Sequence, residues 1–187
     1  MIITLDEYVF RAVCKQQKEW EAAGHALFPV SINISRASLY YENIVQRYME
    51  ITKEYDIDIK YVPLEVTESA TIDNSQVLEI MKLFHDAGFP LYLDDFGAGY
   101  SSLATLNLMI FDTLKLDKSL VDFIGNDNGE KLLSYTIQLA KSLGMKITAE
   151  GVELEEQVAF LQNLNCDEIQ GYFFSKPLPL ADFEKLL

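Results

Sequence analysis

The sequence predicts an α/β fold with a parallel β-sheet in a single domain. Short apolar, β-branched segments alternate with amphipathic segments along the chain, so that each of six predicted strands is followed by a helix. The predicted strands are mostly continuous apolar runs, which is typical of parallel strands buried on both faces. No linker or low-complexity tract interrupts the 187 residues. One domain therefore accounts for the whole chain.

The first half of the chain begins with an amphipathic helix. The pattern predicts Thr4 as the N-cap, with Glu7 three residues later, and Gly24 as the residue that ends the helix. Three strands and three further helices follow. In chain order we expect a helix at 4–24, a strand at 29–35, a helix at 37–54, a strand within 59–69, a helix at 73–87, a strand at 89–96 and a short helix from Ser101.

The second half repeats the same alternation. Gly144 directly follows a helical pattern, as expected for a residue that ends a helix. In chain order we expect a strand at 112–121, a helix at 129–143, a strand at 145–153, a helix at 154–163, a last strand at 168–178 and a final helix from residue 180.

Charge and composition exclude several classes of protein. The 15 Lys and Arg residues against 29 Asp and Glu residues leave a net charge of −14, which repels a nucleic-acid polymer. The apolar runs are too short for a transmembrane helix, and no signal peptide is evident, so we expect a cytoplasmic segment without membrane contact. Cys14 and Cys166 lie in unrelated contexts and are interpreted as reduced thiols.

Each predicted strand begins with apolar residues and ends with polar ones. Because the carboxyl ends of parallel strands face the same way, we expect these polar side chains to meet at one rim. A single such residue is as well explained by a helix N-cap or a solvated charge, but five strands that end alike favour a site. The residues are Asn33, Glu65, Glu68, Asp94, Asp95, Lys115, Asp117, Glu150 and Glu153, with Gln170 in the sixth strand.

These residue types predict a site for hard cations. Carboxylate and amide oxygens without histidine or cysteine suit Mg²⁺ or Mn²⁺ and do not suit zinc. Asp94 and Asp95 can both stay ionised if cations lie between them. Two such ions form the usual arrangement for in-line attack on a phosphodiester. Lys115 would hold the attacking hydroxide or a phosphate oxygen.

Six motifs in the chain resemble those of the EAL domain family of cyclic di-GMP phosphodiesterases. They are SINIS, LEVTES, LDDFGAGYSSL, LKLDKS, TAEGVE and QGYFFSKPL, in the family's order and over nearly the whole chain. The one departure within LDDFGAGYSS is Ala98, where the family often has Thr. The resemblance implies a TIM-like (β/α) barrel that hydrolyses cyclic di-GMP to linear pGpG with Mg²⁺ or Mn²⁺.

The resemblance also implies roles for particular residues. The implied metal ligands are Asn33, Glu65, Asp94, Asp95 and Glu150. The implied catalytic residues are Lys115, which would contact the catalytic water, Glu150, Glu153 and Gln170. Glu68 would fix the loop FGAGYSS, in which Gly97 and Gly99 provide mobility, and in the family this loop links the site to the interface of a homodimer.

One hallmark of the family is not found in this sequence. The Glu-Ala-Leu tripeptide, whose Glu is a metal ligand in the family, does not occur, and Glu21-Ala22-Ala23 in the first helix is the nearest approach. Six predicted strands stand against the family's eight. We therefore expect residues 1–187 to form a single EAL-type domain that lacks its N-terminal strands, with two open sheet edges.

Three functions agree with these observations. The first is an EAL-type phosphodiesterase whose activity is reduced by the missing ligand. The second is a catalytically degenerate EAL module that binds cyclic di-GMP or a protein partner in signalling. The third is another metal-dependent barrel enzyme that acts on a different phosphoester or on an enolisable acid, and the LDDFGAGYSS motif disfavours it.

Overall fold

A computed structural model of the chain describes residues 2–71, 75–99, 106 and 111–187. Packing divides the chain into two compact units, Met1–Tyr92 and Leu93–Leu187. The described strands form one six-stranded sheet in chain order. They are Ile32–Asn33 (β1), Leu64–Thr67 (β2), Leu91–Phe96 (β3), Thr113–Leu116 (β4), Lys146–Ala149 (β5) and Glu168–Ile169 (β6).

Helices connect the strands. They are Ile2–Ala23 (α1), Arg36–Leu39 (α2), Ile44–Tyr55 (α3), Glu68–Thr71 (α4), Ser75–Asp86 (α5), Lys118–Val121 (α6), Asp127–Ser142 (α7), Glu155–Asn163 (α8) and Leu180–Phe183 (α9), with 3₁₀ turns at Ile59–Tyr61 and Glu184–Leu186. Strands β1 and β2, β4 and β5, and β5 and β6 pair in parallel. The predicted α/β class with a parallel sheet is confirmed.

The first unit has an aromatic core beneath α1. Phe10 lies with its ring centroid 4.3 Å from that of Tyr48, and Phe84 contacts both Tyr48 and Phe89 edge-on. The four side chains are almost completely buried. Aromatic rings in such tilted contacts stabilise beyond the area that they bury. This cluster fixes α1 against α3 and α5.

The second unit is built around β4, whose four residues are all buried. Helix α7 presents Leu133, Ile137 and Ala140 on one face, at the spacing of a helical stripe. The helix begins where the Asn126 side chain accepts hydrogen bonds from the backbone N–H groups of residues 128 and 129. The helix packs on β5, so this part of the unit has the strand and amphipathic helix that the sequence pattern predicts.

Several predicted boundaries were wrong. Helix α1 begins at Ile2, so Thr4 lies inside it. The predicted helix 37–54 is two helices, α2 and α3, with Asn43 in the left-handed conformation between them. The last strand ends at Ile169 because the backbone then turns, with the N–H of Phe174 donating to the carbonyl of Gly171. The short helix predicted from Ser101 lies outside the described residues.

Both cysteines are free thiols. Burial raises the pKa of Cys14 to about 12 and also raises the pKa of Cys166. Both thiols are therefore protonated at neutral pH and are poor nucleophiles and poor metal ligands. Among the described helices, none is long and apolar enough to cross a lipid bilayer.

Candidate metal centre and active site

The carboxyl ends of β3, β4 and β5 are held level by backbone hydrogen bonds. The N–H of Asp117 donates to the carbonyl of Phe96 at 3.0 Å, and the N–H of Glu150 donates to that of Leu116 at 3.0 Å. Level strand ends bring the polar residues of neighbouring strands together. The predicted convergence of polar side chains is therefore observed within the second unit.

Lys115 lies at the centre of this cluster. Its Nζ atom is 2.8 Å from Asp94 Oδ1 and 2.9 Å from Glu150 Oε1. The Lys115 and Asp94 side chains are 9% and 10% exposed, and that of Glu150 is 20% exposed. Asp95 completes the group, since ligand oxygens of Asp94, Asp95 and Glu150 all lie within 4.8 Å of one another.

Two adjacent residues of a regular strand point to opposite faces of the sheet, so Asp94 and Asp95 need a local departure to meet. Asp95 supplies it, because its backbone is left-handed with a φ of 57°. Aspartate tolerates this conformation better than most residues with a side chain. The turn leaves Asp94 buried and Asp95 exposed while both carboxylates face the same site.

The donor set suits a divalent cation. Carboxylate oxygens that lie within 4.8 Å of one another repel by about 3 kcal/mol or more per pair of charges at an effective dielectric constant of about 20. Lys115 offsets only part of three negative charges. Asp94 Oδ1 is buried and receives no hydrogen bond of acceptable angle from the described residues, although the Lys115 ammonium lies 2.8 Å away. An all-oxygen group with more negative charge than its lysine neutralises fits Mn²⁺, Mg²⁺ or Ca²⁺.

Gly97 and Gly99 follow this cluster, and only at Gly97 does the local structure exclude a larger side chain. Gly97 has a φ of 101°, and a Cβ atom there would lie 2.4 Å from the Leu120 side chain. Ser119 Oγ also donates to the Gly97 carbonyl at 3.2 Å. At Gly99, a Cβ atom would have no described atom within 4 Å. Gly97 is thus needed for a defined turn, which is a different reason from the mobility predicted for both.

In the first unit, Asn33 and Glu65 are neighbours. They are paired in register across β1 and β2, with Asn33 exposed and Glu65 5% exposed. Glu68 is the first residue of α4 and is also 5% exposed. The sheet register therefore places two of the predicted ligands side by side, and their roles as ligands remain predictions.

The three remaining strand-end residues are not among the grouped carboxylates, and two of them, Glu153 and Gln170, are exposed. Glu153 is about half exposed, and its Oε1 atom lies 3.6 Å from Lys118 Nζ. Gln170 follows β6 and lines a cleft of about 380 Å³ with Gly171, Tyr172 and Lys176. The catalytic roles of Glu153 and Gln170 remain predictions.

The third, Asp117, is explained by local structure. It is the N-cap of α6, and its side chain accepts a hydrogen bond from the N–H of Ser119 at 2.9 Å. Burial raises the pKa of Asp117, but the hydrogen bonds from Ser119 outweigh it and hold the pKa below its usual value. The helix N-cap explanation, which can account for any single strand-end residue, therefore holds for Asp117.

One contact near Glu150 was missed from the sequence. Gly151 has a φ of 67°, and a Cβ atom there would lie 2.5 Å from Cβ of Lys118. The Lys118 stem thus packs directly on the turn that carries Glu150. A glycine between two acids in TAEGVE was the available signal, because it indicates a close approach of backbone and side chain.

Carboxylates gathered around a lysine at the strand ends of a parallel sheet form a candidate metal centre in an α/β fold. The chain belongs to the EAL domain family, which matches residues 1–177. EAL domains are TIM-like barrels, so the predicted fold and the predicted resemblance are both confirmed, with six strands in the described residues.

Curated relatives carry functional names. The chain is 35% identical to the cyclic di-GMP phosphodiesterase NbdA of Pseudomonas aeruginosa, over all of this chain and 24% of that protein. It is 33% identical to the cyclic di-GMP phosphodiesterase PdeR of Escherichia coli, over 99% of this chain and 28% of that protein. The chain thus spans about a quarter of the length of these relatives.

Solved structures of EAL proteins superpose closely. The EAL domain of Mycobacterium smegmatis DcpA matches with a TM-score of 0.89 at 32% identity, over 99% of this chain and 84% of that one. The cyclic di-GMP complex of the PaMucR phosphodiesterase matches with a TM-score of 0.88 at 31% identity, over 100% of this chain and 75% of that one. A manganese and cyclic di-GMP complex of Klebsiella pneumoniae BlrP1 matches with a TM-score of 0.84 at 29% identity, over 94% of this chain and 44% of that one.

Proposed function

We propose that this domain hydrolyses cyclic di-GMP to linear pGpG with divalent cations, Mg²⁺ or Mn²⁺, in a two-metal site. The observation that carries the proposal is the position of Lys115 between Asp94 and Glu150, with a carboxylate oxygen of Asp95 within 4.8 Å of those of both acids. The named activity of NbdA and PdeR and the manganese complex of BlrP1 support it.

The acidic residues of the site would bind the cations, and Lys115 would position the attacking oxygen. Asp94, Asp95 and Glu150 of the second unit would hold cations. The roles of Asn33 and Glu65 as metal ligands are expected from the family resemblance. Bound cations would supply the Lewis acid that polarises the phosphodiester and activates water. Lys115 would donate a hydrogen bond to the attacking oxygen, because two carboxylates fix the position of its ammonium and an ammonium carries three protons.

The proposal extends to location and assembly. We infer a cytoplasmic enzyme, supported by two free cysteines, which are typical of a reducing compartment. A homodimer is expected from the family resemblance. The size of the domain in solution, measured by light scattering with and without cyclic di-GMP, tests the second point.

The direct test is turnover. The protein is incubated with cyclic di-GMP and Mn²⁺ or Mg²⁺, and pGpG is measured by chromatography. We expect metal-dependent product from the parent and a loss of about 10²-fold or more for Asp94→Asn and Lys115→Met. Glu156→Gln, an exposed acid in the first turn of α8, is the control and should keep parental activity. Cleavage of a generic aryl phosphodiester with no cleavage of cyclic di-GMP would instead favour a different phosphoesterase.

A second function is favoured by one sequence fact. These 187 residues contain no Glu-Ala-Leu tripeptide and so contribute no such Glu to the site. A module that binds cyclic di-GMP without turnover would follow if that ligand is indispensable. Titration calorimetry distinguishes the two functions, because binding at micromolar or tighter affinity without pGpG supports the binding module and product formation excludes it.

A further inference from the structure

Helix α1 buries a carboxylate among apolar side chains. Asp6 belongs to the stripe that also contains Phe10, Cys14, Gln17 and Trp20, and it is 9% exposed. Its Oδ2 atom accepts two hydrogen bonds, from the N–H of Ser35 at 2.9 Å and from Ser38 Oγ at 2.6 Å. An acid on the apolar stripe of an amphipathic helix needs such partners, because an unpaired buried charge is costly.

Both donors lie in the turn that leaves β1. Ser35 is the N-cap of α2, and its own Oγ accepts a hydrogen bond from the N–H of Ser38 at 3.2 Å. Asp6 is therefore not required to cap this helix. What Asp6 adds is a connection between α1 and the turn, made by a charged acceptor at short distance.

The turn begins one residue after Asn33. The backbone on both sides of Asn33 is bound to β2, since the N–H of Ile32 donates to Pro63 at 2.9 Å and that of Ile34 donates to Glu65 at 3.0 Å. Asp6 then holds the next residue, Ser35. Asn33 is thus the last residue of β1 in a segment fixed on one side by β2 and at its end by α1.

We propose that Asp6 is a positioning residue for metal binding by the Asn33 and Glu65 pair of the first unit, which acts by fixing the backbone that follows Asn33. The inference rests on the proposed function, because it takes Asn33 as a metal ligand. A polar group hydrogen-bonded to a metal ligand changes metal affinity about 10- to 100-fold when it is removed. Because Asp6 acts through the backbone of Ser35, two residues from Asn33, we expect the lower end of that range. The same loss of a purely structural contact would lower stability and leave the affinity of the folded protein unchanged.

The experiment is a double-mutant cycle on Mn²⁺ binding, measured by titration calorimetry on the metal-free protein. We expect Asp6→Ala to weaken binding about tenfold, Asn33→Ala to weaken it at least as much, and the double variant to bind like Asn33→Ala alone. Asp6→Asn keeps an acceptor oxygen at the same place and should restore most of the affinity.

Glu7→Gln is the matched control. Glu7 is the neighbouring acid of α1 and joins this helix to Arg47 of α3 at 2.8 Å, without touching the turn after β1. We expect a lower melting temperature and unchanged Mn²⁺ affinity. The amide of Ser35 should exchange faster with deuterium in Asp6→Ala and at the parental rate in Glu7→Gln.

Each possible result either supports or overturns the positioning role of Asp6. Parental Mn²⁺ affinity in folded Asp6→Ala, or additive losses in the double variant, would overturn the proposal. A parent that binds Mn²⁺ with the predicted cycle and yields no pGpG would support positioning by Asp6 while removing the proposed hydrolysis. A parent that binds no Mn²⁺ would overturn both.

Discussion

Replacing Lys115 by methionine removes the one described cation that contacts both Asp94 and Glu150. Breaking a buried ion pair by removing one partner costs about 3–5 kcal/mol, because the remaining charge stays buried. Glu150 is 20% exposed, so we take the lower limit of about 3 kcal/mol. In a chain of 187 residues this lowers the melting temperature by about 6–12 °C in the absence of metal.

A divalent cation should reverse part of this loss. Without the ammonium, three carboxylates remain within 4.8 Å of one another, and they attract a cation more strongly than before. Binding to the folded state alone stabilises by about 2.7 kcal/mol at a concentration of 100 Kd. We therefore expect Mn²⁺ to raise the melting temperature of Lys115→Met more than that of the parent.

The assay is thermal unfolding followed by circular dichroism, in EDTA and in Mn²⁺. Lys118→Met is the matched control, since Lys118 also pairs with two acids but is 44% exposed. Pairs so exposed contribute about 0–1 kcal/mol, so this variant should lie within about 4 °C of the parent in both conditions. A melting temperature of Lys115→Met equal to that of the parent in EDTA, or equal stabilisation of both proteins by Mn²⁺, would show that the carboxylates do not depend on Lys115.

Three further predictions follow from single contacts. Gly97→Ala should lower the free energy of unfolding, measured in urea, by about 2 kcal/mol or more, because Gly97 is left-handed and faces Leu120. Gly99→Ala should leave that free energy nearly unchanged, and equal effects of the two substitutions would contradict this reasoning. Hydrogen bonds from Arg47 hold the pKa of Glu7 below its usual value, so the Glu7 contribution is complete above the unfolded pKa and lost as pH falls through the folded pKa. The stability difference between parent and Glu7→Gln, measured by urea unfolding, should therefore shrink from about pH 6 to about pH 3, and a constant difference would refute it. Cys14 should react with a thiol reagent at pH 8 only after unfolding, because it is fully buried with a pKa raised by burial to about 12; labelling of Cys14 in the native protein, located by mass spectrometry, would show the opposite.

Much of the fold could be predicted from local patterns. The order of strands and helices follows from apolar periodicity, and helix ends follow from residues such as Gly24 and Gly144, both left-handed in the structure. These signals are local, because a helix or strand buries a face that its own sequence must supply. Boundaries failed where tertiary contacts compete, as at Gly171, where a Cβ atom would lie 2.0 Å from the Val152 carbonyl and the backbone turns away from the strand.

The candidate site was predictable in composition and only partly in geometry. Adjacent aspartates at a strand end indicate a cation site in sequence alone, because like charges need a counterion. The sequence also determined the family through its motifs. It did not show that Asp94 and Asp95 meet through a left-handed Asp95.

Tertiary structure also decided which polar residues act locally. Asp117 caps a helix, and Asp6, far from every strand end in sequence, binds the turn after Asn33. The physical reason is the distance along the chain over which each feature is determined. Periodicity and charge pattern depend on neighbouring residues, whereas backbone strain and a hydrogen bond between residues 6 and 35 depend on how distant segments pack.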